Sequence, residues 1–278
     1  MIEQIIHGDC IEHLSKLDAK IASLIVADPP YGMVLNESWD KYGIEAYRDF
    51  SKKWLTQCCR VLKDDGSLYV WGSLGTRSAK HWLSMASVLS DVFILKDMVV
   101  WSKQRGRGNI RGWLSTREEM LWAIKDEKNY IWNKEFQYST HKYDESWIKR
   151  LGKEDHPYKR ATNVWTDIDE VTIEQAKRTG GKGKRITLHP AQKPVVAIER
   201  LILAHTIGGD LVIDPFGGSG TTAIAAKRTG RSYIVIEKDE NYVSVIQQRL
   251  KDERQNRRHV FSHWIAEPSV PSVRQLNR

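Results

Sequence analysis

Val212-Ile213-Asp214-Pro215-Phe216-Gly217-Gly218-Ser219-Gly220-Thr221-Thr222 joins the apolar run Asp210-Leu211-Val212-Ile213 to a stretch of helical character, Thr221 to Thr229. A short apolar run bounded by turn residues reads as a strand buried on both faces, as in the middle of a parallel sheet. Glycines at the junction permit a tight turn and let a ligand approach the backbone where the helix begins, the place where open α/β sheets hold dinucleotides or S-adenosylmethionine. A phosphate-binding P-loop would need Gly-Lys-Ser/Thr, and Gly220-Thr221-Thr222 has no lysine. The dinucleotide pattern stays open, because Gly218-x-Gly220 is followed by Ala223, a tolerated variant. The next apolar run, Ser232 to Ile236, ends at Glu237, whose carboxylate can grip both hydroxyls of a ribose.

Outward from this turn the chain alternates strands and helices. Before it, Pro194 to Thr206 is a helix with Val195, Ile198, Leu201 and Ile202 on one face; after it, Asn241 to Asp252 is another. In the first half, Ile5 to His7, Ser23 to Ala27, Ser67 to Trp71, Phe93 to Trp101 and Glu119 to Ile124 read as strands. Cys10 to Leu17, Tyr47 to Leu62 and Arg77 to Leu89 read as helices, the second stopped by Asp64-Asp65-Gly66. From about 126 to 186 periodicity weakens and aromatic residues scatter among polar ones, which reads as an irregular insertion. The expected architecture is an open, mostly parallel α/β sheet covered by helices. Residues 1–125 and 187–255 form its two halves, and 256–278 a polar tail.

Asp28-Pro29-Pro30-Tyr31 follows a second buried strand directly. The two prolines hold the chain extended and remove two backbone donors, so that local carbonyls project as acceptors. Asp28 adds a carboxylate acceptor and Tyr31 an aromatic face. An exocyclic base amine presents two N–H donors and a lone pair delocalised into the ring. Acceptance of its hydrogen bonds by Asp28 and the Pro29 carbonyl would orient the amine, with Tyr31 stacked on the base. Attack on a sulfonium methyl then needs positioning and electrostatics alone. A base inside a duplex must be flipped out to reach such a pocket.

The formal net charge of +8 fits a polyanionic partner. Lys103, Arg105, Arg107, Arg111 and Arg117 share a glycine-containing stretch without acids, and Lys177, Arg178, Lys182, Lys184 and Arg185 surround Gly180-Gly181 and Gly183. Such segments can follow a phosphate backbone closely, which makes Lys103, Arg105, Arg107, Arg111, Lys182, Lys184 and Arg185 the candidate DNA contacts. The three cysteines, Cys10, Cys58 and Cys59, form no Cys-x-x-Cys or Cys/His cluster, so neither a disulfide framework nor a metal site is expected. None follows a proline, which removes a cysteine nucleophile of the kind that cytosine-C5 methylation requires. No apolar run approaches the ~20 residues that span a bilayer, and the start, Met1-Ile2-Glu3-Gln4, lacks the form of a secretory leader. A cytoplasmic, nucleoid-associated protein is expected.

The order of these motifs resembles the beta class of DNA amino-methyltransferases: Asp28 to Tyr31 first, then the irregular stretch, then Phe216-Gly217-Gly218-Ser219-Gly220. The resemblance runs to about Leu250. It implies S-adenosylmethionine as cofactor, double-stranded DNA as substrate, and a Rossmann-like methyltransferase fold, circularly permuted, with a seven-stranded mixed sheet. The region 126–186 would be its target-recognition insertion. His189-Pro190-Ala191-Gln192-Lys193-Pro194 matches the family's segment beside the cofactor, so Lys193 would meet the methionine carboxylate. His7-Gly8-Asp9-Cys10 looks like the family's strand-end carboxylate, placing Asp9, with Cys10, at the adenine. Glu237 would bind the ribose with Asn241 near it, while Asp214, Phe216, Gly217, Gly218, Ser219, Gly220, Thr221 and Thr222 would line the cofactor site. The Asp-Pro-Pro-Tyr form goes mostly with adenine N6 and the Ser-Pro-Pro-Tyr form mostly with cytosine N4. A homodimer and a cognate restriction endonuclease are further implications. Related RNA and protein amine methyltransferases usually place the glycine motif before the catalytic one, the reverse of the order here.

Overall fold

The structure, a computed structural model, describes residues 1–32, 43–75, 78–107, 113–136, 138–152, 157–170 and 192–255. Its chain order is β1 (Glu3–His7), α1 (Cys10–Lys16), β2 (Ala22–Ala27), α2 (Ile44–Val61), β3 (Leu62–Gly72), α3 (Ala79–Val92), β4 (Ile94–Arg107) and β5 (Ser115–Ile124). A 3-10 turn (Lys134–Phe136), β6 (Tyr138–Lys142), α4 (Glu145–Leu151), β7 (Tyr158–Arg160) and β8 (Val164–Trp165) follow. The chain then continues through α5 (Val195–His205), β9 (Leu211–Asp214), α6 (Thr221–Arg228), β10 (Ser232–Glu237) and α7 (Glu240–Gln255).

The main sheet runs β1-β10-β9-β2-β3-β5-β4-β8. Seven of its strands are those expected, and the eighth, β8, is a two-residue strand from the insertion, parallel to β4 at Val100↔Val164 and Trp101↔Trp165. β1, β10, β9, β2 and β3 are mutually parallel; β5 is antiparallel to β3 and to β4. β2 is buried at all six positions because it is central and covered on both sides. Its side chains alternate accordingly. Ile25 and Ala27 join a core with Leu14, Trp54, Leu55 and Met85 from α1, α2 and α3, whereas Leu24 and Val26 join one with Ile198, Leu201, Ile224 and Ile246 from α5, α6 and α7. On α2, Tyr47, Ser51, Trp54, Leu55, Cys58 and Val61 are buried, the stripe that a 3.6-residue period presents to a sheet.

Several sequence expectations shift. β3 begins at Leu62, before the acidic turn, because Ala22 already pairs with Leu62; the register then jumps to Leu24↔Ser67, and Asp64-Asp65-Gly66 is the excursion between the two pairings. β4 continues beyond Trp101 to Arg107, so the basic segment starts as strand backbone and returns to β5 with Arg107 opposite Ser115. The insertion is less irregular than its composition implies, since β6 and β7 pair and α4 is capped by Asp144, whose carboxylate accepts from the Trp147 N–H. It is also tied to the main body: Trp101 Nε1 donates to the Ile168 carbonyl at 2.8 Å, and Arg200 of α5 makes a bidentate pair with Asp167 at 3.0 and 2.6 Å. No helix among the described residues is long and apolar enough to cross a membrane.

Candidate active site at one rim of the sheet

Strand polarity decides where the sequence motifs meet. Because β1, β10, β9 and β2 are parallel neighbours, their carboxyl ends deliver Asp9, Glu237, Asp214 and Asp28 to one rim in that spatial order. The helix after β2 lies on one face of the sheet and the helix after β9 on the other. A crevice therefore opens between the two strand ends, at the topological switch point where open α/β sheets bind ligands.

On the β9 side, the glycine turn is shaped by what surrounds it. A Cβ on Gly217 would stand 2.5 Å from Val235 Cγ1, and Gly220, at φ +77°, would bring one to 2.7 Å from Ile246 Cγ2. Neither position accepts a side chain without displacing the core. The turn is anchored by Glu237, whose carboxylate accepts from the Gly218 N–H at 2.6 Å and the Asp239 N–H at 2.8 Å. Burial raises that carboxyl above its ordinary range despite these bonds. Asp214, 6% exposed, accepts from the Thr222 hydroxyl at 2.5 Å and the Phe216 N–H at 2.9 Å. Its carboxyl is pushed up to about 7 by burial, with Asp28 and Glu237 adding to the rise against the two hydrogen bonds. Ser219 and Thr221 hydroxyls are 3.2 Å apart, and Arg249 donates to the Ser219 carbonyl.

The remaining cofactor candidates divide. Asp9 caps α1 through the Ile11 N–H at 2.9 Å and faces Lys238 at 3.5 Å, with 40% of its side chain exposed beside the rim. Asn241 lies in the first turn of α7, its N–H on Asp239 at 2.8 Å. Phe216 packs edge-on against Trp54 (5.3 Å) and Phe50 (6.1 Å) of α2, so it also ties the turn to the opposite face of the sheet. Cys10 is buried and its thiol is pushed up to about 12, by burial first and then by Asp9, which makes it packing material with no nucleophilic role.

These residues suit S-adenosylmethionine. A buried carboxyl whose partners in the fold are neutral, Asp214, matches a cationic methionine group. A strand-end glutamate matches a ribose diol, and the glycines leave room for a ligand against the backbone.

On the β2 side, both Asp28 carboxylate oxygens, the Tyr31 hydroxyl and the Pro30 carbonyl have partners. Tyr31 donates its hydroxyl to Asp28 Oδ1 at 2.9 Å, and the Pro30 carbonyl accepts from Tyr47 of α2 at 2.7 Å. Burial, followed by the charge of Asp28, drives the Tyr31 hydroxyl well above its ordinary range. Lys193, in the segment leading into α5, does not direct its ammonium to the glycine turn. Its Nζ stands 2.9 Å from Asp28 Oδ2, 3.1 Å from Glu118 Oε2 and 3.1 Å from the Tyr31 hydroxyl, 5.1 Å above the Trp71 ring. Only its backbone carbonyl reaches the cofactor side, toward the Thr221 hydroxyl at 3.4 Å. Burial alone would lower the Lys193 pKa; Asp28 and Glu118 outweigh it and raise the group well above the usual lysine range.

Glu118 and Glu119, at the start of β5, were not singled out by the sequence. Glu118 holds Lys193 through one oxygen and Lys103 through the other. Burial pushes its carboxyl up, but the two lysines prevail and hold it below the ordinary range. Glu119, 1% exposed, accepts from the Leu74 N–H at 3.1 Å and from Arg117 at 2.7 Å, fixing the loop after β3. The signal was present only as Arg117-Glu118-Glu119 opening an apolar strand, and only the antiparallel pairing Gly72↔Glu119 brings those acids to the rim.

Lys103, expected at DNA phosphates, is engaged by Glu118 and lies 5.3 Å from the Trp101 ring. Arg105 and Arg107 fall on the projecting end of β4. Arg111, Lys182, Lys184 and Arg185, like the tail 256–278, lie outside the described residues. Among the described residues no group of His, Cys, Asp and Glu could hold a metal ion.

The fold and rim define an α/β protein with a glycine turn and an Asp-Pro-Pro-Tyr loop at the ends of adjacent parallel strands. Comparison with known proteins agrees: residues 22–248 match the family model of the N6/N4 DNA methylases, and the chain belongs to that family. It is 32% identical to the type II methyltransferase M.HinfI of Haemophilus influenzae, over 97% of this chain and 75% of that one. It is 30% identical to the type II methyltransferase M2.DpnII of Streptococcus pneumoniae, over 90% of each. The solved PvuII DNA methyltransferase, described as cytosine-N4-specific, shares the fold with a TM-score of 0.64 at 20% identity, over 88% of this chain and 85% of that one. The protein is an S-adenosylmethionine-dependent DNA methyltransferase.

Proposed function

We propose that this enzyme methylates adenine N6 in double-stranded DNA, at a specific sequence, after flipping the target base into the crevice beside Asp28. The observation that carries the reading is Asp-Pro-Pro-Tyr leaving β2 next to the glycine turn of β9, at the carboxyl ends of parallel neighbours. The bound cofactor supplies a methyl group made electrophilic by a positively charged sulfur. Glu237 would hold the ribose, Asp9 would lie at the adenine, and Asp214 would take the cationic methionine end. Tyr31 surrenders its hydrogen bond to Asp28 and turns its ring against the flipped base. The freed Oδ1 and the Pro29 carbonyl then accept the two amine hydrogens, aiming the nitrogen lone pair at the methyl carbon. Asp28 would accept the proton that the nitrogen sheds on methylation and pass it on to water. Residues 126–186 supply target recognition, and the arginines after Trp101 the phosphate contacts. Pairing with a restriction endonuclease and homodimer formation belong to the same proposal.

Cytosine N4 presents the same amine geometry, and the PvuII likeness in fold makes it the second reading. Sequencing modified bases in DNA from cells expressing the protein gives base and site together; N4-methylcytosine in place of N6-methyladenine would overturn the adenine assignment. Asp28→Ala should abolish transfer while cofactor affinity stays within a few-fold. Loss of that affinity by orders of magnitude would move Asp28 to the cofactor side.

A further inference from the structure

The amine-accepting carboxylate is the end of a buried chain of charges. Lys103 meets Glu118, Glu118 meets Lys193, and Lys193 meets Asp28, with side-chain exposures of 24%, 16%, 7% and 23% in that order. Two ammonium groups and two carboxylates alternate, so the row is neutral, as a desolvated cluster must be to avoid a large penalty. Three different elements contribute: β4 gives Lys103, β5 gives Glu118, and the segment before α5 gives Lys193. The reaction described above uses Asp28 and leaves Glu118 without a task.

We propose that Glu118 is a positioning residue for methyl transfer: it fixes the Lys193 ammonium and shares its charge, so that Asp28 is held in one orientation and keeps an oxygen free for the amine. Three oxygens lie within 3.1 Å of Lys193 Nζ: the Tyr31 hydroxyl accepts its hydrogen bond, and the Asp28 and Glu118 carboxylates pair with its charge. With Glu118 neutral, the full positive charge would fall on Asp28, drawing the carboxylate toward Lys193 and weakening it as an acceptor. With Tyr31 rotated onto a base, Glu118 is the one partner in this group that still restrains Lys193 from following. Glu118 pairs with Lys193 and Lys103 and not with Asp28 directly, so its effect passes through Lys193.

This inference rests on the proposal that Asp28 binds the target amine, and the experiment separates the two. The full chain and its variants are assayed under single-turnover conditions with labelled S-adenosylmethionine and phage DNA grown in a host without DNA methylases. Glu118→Gln should lower the transfer rate at least tenfold, with cofactor and DNA dissociation constants within about twofold of the parent. Lys193→Met should also be slow, and Glu118→Gln combined with Lys193→Met should be no slower than Lys193→Met alone, because one function cannot be lost twice. Glu118→Asp, which keeps the charge on a shorter arm, should fall between parent and Glu118→Gln; it decides the matter if the glutamine variant does not fold. A rate within twofold of the parent for Glu118→Gln, or losses that multiply in the double variant, overturns the positioning role. Asp28→Asn serves as the control: if it retains full rate, the reading of Asp28 fails first, and if it is inactive while Glu118→Gln is fast, only the present inference fails.

Discussion

Replacing Asp214 with Asn should stabilise the cofactor-free protein at pH 8 and leave its stability near pH 4 almost unchanged. In the folded chain this carboxyl titrates at about 7, against 3.8 for the free group. Below pH 4 it is protonated in both folded and unfolded states and costs nothing. Between 4 and 7 the unfolded chain releases the proton while the folded chain keeps it, so stability is lost as pH rises, and above 7 the loss is complete. Roughly three pKa units at about 1.4 kcal/mol each give about 4 kcal/mol. An Asn amide keeps the shape: its oxygen accepts from the Phe216 N–H and its nitrogen donates to the Thr222 hydroxyl. Urea unfolding of parent and variant across pH 5 to 8.5 measures the difference directly. The advantage of the variant should grow with pH and flatten above about 7. Glu199, also pushed up to about 7 by burial, is common to both proteins and drops out of the comparison. A difference that does not change with pH, or that favours the parent at pH 8, would rule out a buried, protonated Asp214 as the cause. The same substitution should weaken S-adenosylmethionine binding, and only the parent should gain affinity as pH rises toward 7, because only its carboxyl can ionise to meet the cation.

Glu237→Ala should weaken cofactor binding about 10- to 100-fold by calorimetry, the size expected when hydrogen bonds to a charged acceptor are lost, and an unchanged dissociation constant would remove Glu237 from the ribose. Phe216→Ala should lower both cofactor affinity and unfolding free energy, the latter by about 2 to 3 kcal/mol, since the ring also packs on Trp54 and Phe50. Asp167→Ala removes the bidentate partner of a buried arginine and should destabilise by about 3 kcal/mol or more in denaturant titrations, whereas the double change Asp167→Leu with Arg200→Met should recover most of that loss. Neutralising Arg105, Arg107 and Arg111 together should flatten the salt dependence of DNA binding by up to about 3 in the log–log slope. An unaltered slope would show that these arginines neutralise no phosphates.

The strands were legible where one physical cause dominated. β2 and β9 declare themselves as continuous apolar runs because a central strand is covered on both faces, and α2 by the spacing of Tyr47, Trp54, Leu55 and Cys58. The extension of β4 through Arg107 was hidden, since glycine and arginine have little intrinsic strand preference and pairing with the far side of the hairpin decides it. β8 is two residues long and held by its neighbour, beyond the reach of periodicity. In the site, Asp28 and the glycine turn were visible because motif and strand end coincide. Lys193 was singled out, but its contact with Asp28 was not foreseen, and Glu118 passed unnoticed. Where a long side chain goes depends on which strands lie side by side, and local sequence does not record that order.

The two halves of the active site are joined along a short central seam and along a second one between β1 and β10. β9 meets β2 at Leu24↔Val212 and Ile25↔Ile213, with about two thirds of the chain between them. Severing the polypeptide between 171 and 191 would bare β2 on one fragment and β9 on the other, both apolar and ready to pair with the wrong partner, and would part β1 from β10 as well. Each piece would keep one half of the chemistry and be capable of none. Split reporters and stepwise assembly in this scaffold must therefore produce both fragments together, so that the seam closes before either edge aggregates.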